Sequence, residues 1–299
     1  MSDAALNADA ANAANGTAAR ATRHAGPGRS GLESRQRHAK ARARSSFSGF
    51  AYWATIVFFF MPLVVLLVAS FDREKGGEWS GFSLVWYAKL FTESGELWRA
   101  FGNSVAIALA SALTATVLGT LAAIGVTWYR FPFRGYVRTL NFLPMILPEI
   151  VIGISLLVFF AGVGLKLGLV SIYIAHATFN LPFVFLMVSA RLDEFDYSVI
   201  EAARDLGASE FQTLMKVIVP MSMPGIASGF LTAVTLSLED FVITFFVTGP
   251  GATTLPLFVY SAIRFGVSPV INALSVVMVA GTVALILPLR NYLKYIAAK

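Results

Sequence analysis

The chain has no cysteine and few charges. Without cysteine among its 299 residues it forms no disulfide and no cysteine-ligated metal or redox centre. Charged residues make up 13% and hydrophobic residues 57%, with a mean hydropathy of +0.70, which is too apolar for an ordinary soluble domain of this length. No ten-residue stretch alternates apolar with polar residues, which excludes the strands of a membrane barrel. No lysine stands in a Gly-Lys-Ser/Thr sequence, so the chain lacks the phosphate-binding loop of ATP-hydrolysing proteins.

The scarce charges are unevenly spread. None lies between Arg44 and Asp72, between Arg99 and Arg130, between Lys166 and Arg191, or between Arg264 and Arg290. Crossing about 30 Å of hydrocarbon takes about 20 helical residues, and each of these gaps is long enough. Two more apolar stretches carry acid: residues 139–165 contain Glu149, and residues 217–263 contain Glu239 and Asp240. Backbone groups cannot remain unpaired in lipid, so the spans are read as helices. Turns placed at Gly and Pro clusters predict six of them, near 50–70, 100–127, 139–162, 169–190, 224–247 and 269–290. The fold class is an all-α integral membrane protein.

Lysine and arginine are retained on the cytoplasmic side of a membrane. With both termini inside, 17 of the 23 fall on inner segments and 6 on outer ones, which supports both ends in the cytoplasm. Residues 1–48, rich in Ala, Arg, Ser and Gly, read as a disordered basic cytoplasmic tail, and residues 49–299 as the membrane domain. The basic run from Arg35 to Arg44 stands beside the first span. It reads as a topology determinant touching anionic lipid of the bilayer and not as a nucleic-acid site. The first apolar segment starts late and is longer than a signal-peptide core, so it reads as an uncleaved helix.

One hydrophilic loop, about 191–222, interrupts the second half. Ser198 with Glu201 and Ser209 with Gln212 each have capping-box spacing. Gly207 stands where a first short helix would end in the left-handed conformation, and Pro220 where a second would close. Ile200, Ala203, Phe211 and Leu214 offer apolar packing surface. On physical grounds alone a connector and a docking element are equally open.

Glu201-Ala-Ala-Arg-Asp-Leu-Gly207, followed by Ile218-Val-Pro220, resembles the EAA motif of ABC-importer permeases, with Val219 where leucine is usual. Further segments resemble the spermidine/putrescine permeases within that family. They are Ser237-Leu-Glu-Asp-Phe-Val242, Phe246-Val-Thr-Gly-Pro250, Leu255-Pro-Leu257 and Gly266-Val-Ser-Pro269 with Asn272-Ala-Leu274. Trp86-Tyr87 and the Pro148-Glu149 turn agree, and the likeness covers roughly residues 50–290. The resemblance implies an ABC type I importer permease fold, a polyamine cargo and a place in the bacterial inner membrane. It also implies partners: an ATP-binding-cassette ATPase dimer that holds ATP and Mg, a second related permease and a periplasmic polyamine-binding protein. By the same resemblance Glu201, Ala202, Ala203, Asp205, Gly207, Ala208 and Glu210 form the contact with the ATPase; Glu210 matches a position implicated in the family, and its place in the cytoplasmic loop leaves product exit and docking both open. The chain itself is implied to be no enzyme and to hold no cofactor. Where close relatives often have Asp-Asp, this chain has Glu239-Asp240.

Ionisable groups inside a membrane are expensive and usually face a cavity or another helix. The expected spans hold three acids, Glu149, Glu239 and Asp240, and no Lys or Arg to pair with them. A polyamine would supply the missing positive charge; basic groups of the companion permease, or protonation on desolvation, are the alternatives. If both helices were continuous, Glu149 would lie about 15 Å and Glu239 about 22 Å from their inner ends, in a stepped path. Ser237 either hydrogen-bonds in that path or packs between helices. Trp86 either stacks on an ammonium group or anchors the interface. His176, with no visible partner cluster, reads as a helix-to-helix hydrogen bonder. Two other functions compete: an ABC permease for thiamine, iron or an oxyanion, and an ion-coupled secondary carrier using the acids as its ion site.

Overall fold

The computed structural model describes residues 29–74, 79–129, 131–264 and 268–297, and all regular structure among them is helical. The chain divides into two units, one ending at Val68 and one beginning at Ala69. Helix α1 (Arg29–Ser70) accounts for nearly all that is described of the first. Of the expected disordered tail, residues 1–28 lie outside the described residues, whereas the backbone from Arg29 is already helical. Arg, Lys, Gln and Ala are good helix formers, and a helix nucleated in the apolar stretch extends into them at little cost.

The second unit contains α2 (Val85–Thr92), α3 (Gly95–Trp128), α4 (Arg134–Ile146), α5 (Glu149–Gly162) and α6 (Leu169–Asp193). Helices α7 (Ser198–Asp205) and α8 (Glu210–Thr213) follow, then a wide π turn (Leu214–Ile218) leading into α9 (Val219–Glu239). The series ends with α10 (Val242–Val247), α11 (Leu255–Arg264) and α12 (Pro269–Ala297).

Helices α3, α6 and α9 pack together as the centre of the unit. Small residues make that possible: Ala108, Ala112, Ala115 and Ala123 of α3 are fully buried. Gly119 of α3 and Gly229 of α9 approach Val184 of α6 from two sides, so that an added Cβ would lie 3.0 and 3.2 Å from its atoms. Hydrogen bonds cross the same seams, from Asn180 Nδ2 to the Ala233 carbonyl at 3.2 Å and between the Thr114 and Tyr173 hydroxyls at 2.8 Å.

Among the described residues four helical stretches are long and apolar enough to cross a membrane: Ser48–Ser70, Gly95–Trp128, Leu169–Asp193 and Glu210–Glu239. The expected third span is two helices, Arg134–Ile146 and Glu149–Gly162, meeting at 108°, and counting them as one brings the total to five. Its interruption has a local cause. Pro148 disfavours helical backbone at Leu147, and both residues are extended, with ψ of 140° and 134°. The expected sixth span falls on α12, whose apolar part, Pro269–Ala284, is shorter than a full crossing within the described residues.

The expected fifth span also moves. It begins at Glu210 and ends at Glu239, with Val242–Val247 a separate short helix. Pro220 closes nothing: it stands at the start of α9, inside a continuous helical run. A proline removes one N–H and crowds the carbonyl four residues back, and the π turn immediately before it absorbs that crowding.

Candidate functional site

The site is built around the break after Glu239. Asp240 leaves the helix with ψ of 121°, and its N–H to the Leu236 carbonyl is the last backbone bond of α9. Among the described residues no backbone donor reaches the carbonyls of Ser237, Leu238 or Glu239. Glu239 therefore adds a carboxylate to a helix end that is already negative, and no partner for it occurs among the described side chains. It is exposed, whereas Asp240 beside it is buried.

Asp240 is fully engaged. Its Oδ1 accepts from the Ile243 N–H at 3.2 Å, and its Oδ2 accepts from the Thr244 N–H and hydroxyl, both at 2.8 Å. It thereby caps α10, satisfying two amides that the break would otherwise leave open in an apolar layer. The remaining donor is His176 of α6, whose Nε2 lies 3.1 Å from Asp240 Oδ2 and 2.9 Å from the Thr244 hydroxyl. On the other side of the ring, Nδ1 lies 2.7 Å from Ser237 Oγ, which in turn lies 3.3 Å from Ser111 Oγ of α3. One assignment satisfies every hydroxyl: Ser111 donates to Ser237, Ser237 donates to Nδ1, and Nε2–H donates toward Asp240. All five side chains are buried, and they join α3, α6, α9 and α10.

His176 is thus a helix-to-helix hydrogen bonder, but it has a partner cluster that the sequence reading did not find. Thr244 and Ser111 were missed with it. A signal was available, because Ser237, Asp240 and Thr244 are spaced three and four apart, as one polar stripe in an apolar run would be.

Glu149 opens α5 directly after the Pro148 break, so it is not midway along a continuous helix. Helix α5 packs on α10, with the Phe246 ring 2.7 Å from where a Cβ on Gly153 would be and the Ile243 Cα 3.5 Å away. That contact brings Glu149 into electrostatic range of Asp240 and Glu239. Both broken helices therefore deliver acids to one region, and Glu149, like Glu239, is exposed. The stepped arrangement along two continuous helices is replaced by a cluster at two helix ends.

Trp86 is in α2 and is occupied locally. Its indole N–H donates to the Asp72 carbonyl at 2.7 Å, and Lys89 Nζ stands 5.2 Å over its ring. Asp72 is fixed as well, since the Ser80 amide and hydroxyl hold its carboxyl below the usual carboxylate range.

The loop after α6 has the compact form expected of it, with one difference besides Pro220. Gly207 has φ of +83°, and its N–H donates to the Arg204 carbonyl as α7 ends. Ser209 and Gln212 form the reciprocal capping box. Ser198 and Glu201 do not: Ser198 is the first residue of α7, and its N–H is taken by Asp196 Oδ1 at 3.0 Å. Arg204 pairs with Glu210 across the turn at 2.9 Å. Ile200 is buried in the main core, Ala203 and Ala208 are half-buried, and Glu201, Ala202, Asp205, Gly207 and Glu210 are exposed. Leu206 and Phe211 are 89% and 70% exposed, giving the turn an apolar tip. A cavity of about 270 Å³ lies behind it, lined by Trp128, Tyr129, Tyr197, Arg204, Glu210 and neighbouring apolar side chains.

The family described as a binding-protein-dependent transport system inner membrane component matches residues 115–299. The spermidine/putrescine transport system permease protein PotC of Escherichia coli K12 is 40% identical over 235 residues, covering 78% of this chain and 89% of that protein. The putrescine transport system permease protein PotI of the same strain is 38% identical over 237 residues, covering 77% and 84%. Among solved structures, a chain of a bacterial ABC transporter involved in the import of the acidic polysaccharide alginate superimposes with a TM-score of 0.68. That match covers 85% of this chain and 97% of the other at 16% identity, a likeness of fold.

Proposed function

The chain belongs to the family of binding-protein-dependent inner membrane transport components, and from that premise we propose that it is the permease subunit of an ATP-driven importer of polyamines. The observation that carries the cargo is the 40% and 38% identity to two permeases whose names specify spermidine and putrescine. The site agrees in sign. Two exposed carboxylates and the open carbonyl end of a helix attract ammonium groups and repel an oxyanion.

The chain is no enzyme; ATP and Mg belong to a separate ATPase dimer. The left-handed turn at Gly207, with Leu206 and Phe211 exposed beside Glu201, Ala202, Asp205 and Glu210, supports its reading as the surface that the ATPase grips. Glu149 and Glu239 are exposed on a single chain, which supports a path completed by a second, related permease that receives cargo from a periplasmic binding protein. The proposal keeps six spans in the bacterial inner membrane, both termini cytoplasmic. It gives Glu239 and Glu149 direct contact with the passing cation, Asp240 and Ser237 the support of the break, and Trp86 a place near its outer entry.

The test is uptake of labelled putrescine and spermidine by vesicles containing the co-purified complex. ATP-dependent accumulation of both, competed by the unlabelled amines, is expected. Flux driven by an ion gradient without ATP, or ATP-driven flux of another solute with none of polyamine, overturns the proposal.

A further inference from the structure

The break after Glu239 raises a question of geometry. A carboxylate at the frayed end of a helix has no packing of its own to aim it, yet cation transfer needs it aimed. Glu239 is exposed and has no side-chain partner among the described residues, so whatever directs it acts through the backbone on either side. Those sides are residues 237 and 240.

His176 holds both. Its Nδ1 is 2.7 Å from Ser237 Oγ and its Nε2 is 3.1 Å from Asp240 Oδ2, so one rigid ring bridges the residues that flank Leu238 and Glu239. The ring is itself enclosed: His176 is 2% exposed on α6, the helix packed most extensively against α3 and α9. Asp240 is further pinned by α10 and Ser237 by Ser111, so the bridge spans a break whose two ends are each anchored elsewhere. We infer that His176 is a positioning residue for transport: it clamps the helix break on both sides of Glu239 and so fixes the direction in which that carboxylate meets the cation. This rests on the polyamine reading above.

The clamp makes a prediction that a merely structural histidine does not. If His176 acts through Glu239, its loss matters only while Glu239 carries a charge to aim. The full complex, reconstituted in proteoliposomes with its ATPase, companion permease and binding protein, is assayed for putrescine and spermidine uptake in a four-variant cycle. His176→Leu should lower uptake about tenfold, the size of one buried hydrogen bond, at unchanged complex assembly. In a Glu239→Gln background the same change should alter the remaining uptake less than about twofold. His176→Gln, which keeps an amide donor toward Asp240, should recover part of the loss. Where His176→Leu prevents assembly, Ser237→Ala opens only the Nδ1 side and is carried through the same cycle. Equal tenfold losses in both backgrounds overturn the clamp and leave the pathway reading standing. Unchanged uptake in Glu239→Gln and Glu149→Gln together overturns the pathway reading itself.

Discussion

The turn at Gly207 and the break at Asp240 are both places where a helix stops, and they are built in opposite ways. At Gly207 the side-chain hydrogen bonds are local: Ser209 with Gln212, Arg204 with Glu210, and Asp196 with Ser198 are all within six residues. At Asp240 the local bonds from Ile243 and Thr244 are joined by supports from 64 residues away at His176 and, through Ser237, from Ser111, 126 residues from that serine. One is an exposed turn whose hydrogen bonds close within the loop, although Ile200 behind it is buried in the main core; the other draws on side chains of four packed helices. The difference suits the proposed roles, since a surface gripped by a partner must present a fixed form, whereas a cation path must change with the packing of the helices around it.

The largest effect is expected at Asp240. Replacing it by Leu leaves the Ile243 and Thr244 amides and the Thr244 hydroxyl proton without their acceptor in a buried layer, and leaves His176 Nε2 only the Thr244 hydroxyl oxygen. A loss of about 3–5 kcal/mol is expected, the range for breaking a buried charged network. Thermal unfolding of the purified complex should show it, together with poor membrane yield. Asp240→Asn keeps one carbonyl acceptor and should cost clearly less. If the two variants unfold alike, the network does not hold the break.

At Gly207 the expected effect is smaller and of another kind. No atom lies within 4 Å of the Cβ position, so a side chain there meets only the cost of φ at +83°. Gly207→Val should cost about 1–2 kcal/mol locally and release the ATPase, while Gly207→Asn, which tolerates this region, should retain most association. Co-purification of the ATPase reads the outcome directly. Equal association of the Val and Asn variants would remove the turn from the coupling surface. Leu206→Ser tests the apolar tip without touching the turn, and should weaken association with no change in thermal stability.

The same contrast explains what the sequence disclosed. Caps and turns depend on neighbours in the chain, so Gly207 and the Ser209 capping box were legible from residue type and spacing. The Ser198 cap failed because Asp196 offered a competing acceptor two residues earlier. Hydropathy located the apolar stretches but not their interruptions: the Pro148 break and the Asp240 break both lie inside long apolar runs in which only the acids Glu149, Glu239 and Asp240 stand out. Asp240 has no Lys or Arg beside it in the expected spans, and its partner His176 lies 64 residues away on another helix, brought to it only by packing. Pro220 misled in the opposite direction, since its signal for stopping a helix was overridden by one wide turn before it.

The smallest effect is expected at Asp196, and it tests how far the hydrogen bonds of the loop hold its first helix. The Ser198 amide, with its hydroxyl, holds the Asp196 carboxyl below its ordinary value of 3.8. A carboxylate with a lowered folded-state value stabilises the fold fully above the unfolded value, and the gain disappears as pH falls through the lowered one. Asp196→Asn removes the charge but keeps an acceptor for Ser198. At neutral pH the amides of Val199, Ile200 and Glu201 should therefore exchange a few-fold faster in the variant at most, as for other surface charges. As pH falls below 3.8 the wild-type advantage, measured as protection relative to the free peptide, should shrink until the two proteins coincide. ATPase association at neutral pH should remain normal, because Asp196 braces the start of α7 and stands apart from the Gly207 tip. A variant that loses the whole turn, seen as loss of protection through Gln212, would show that the knob depends on this one cap and not on its three local contacts acting together.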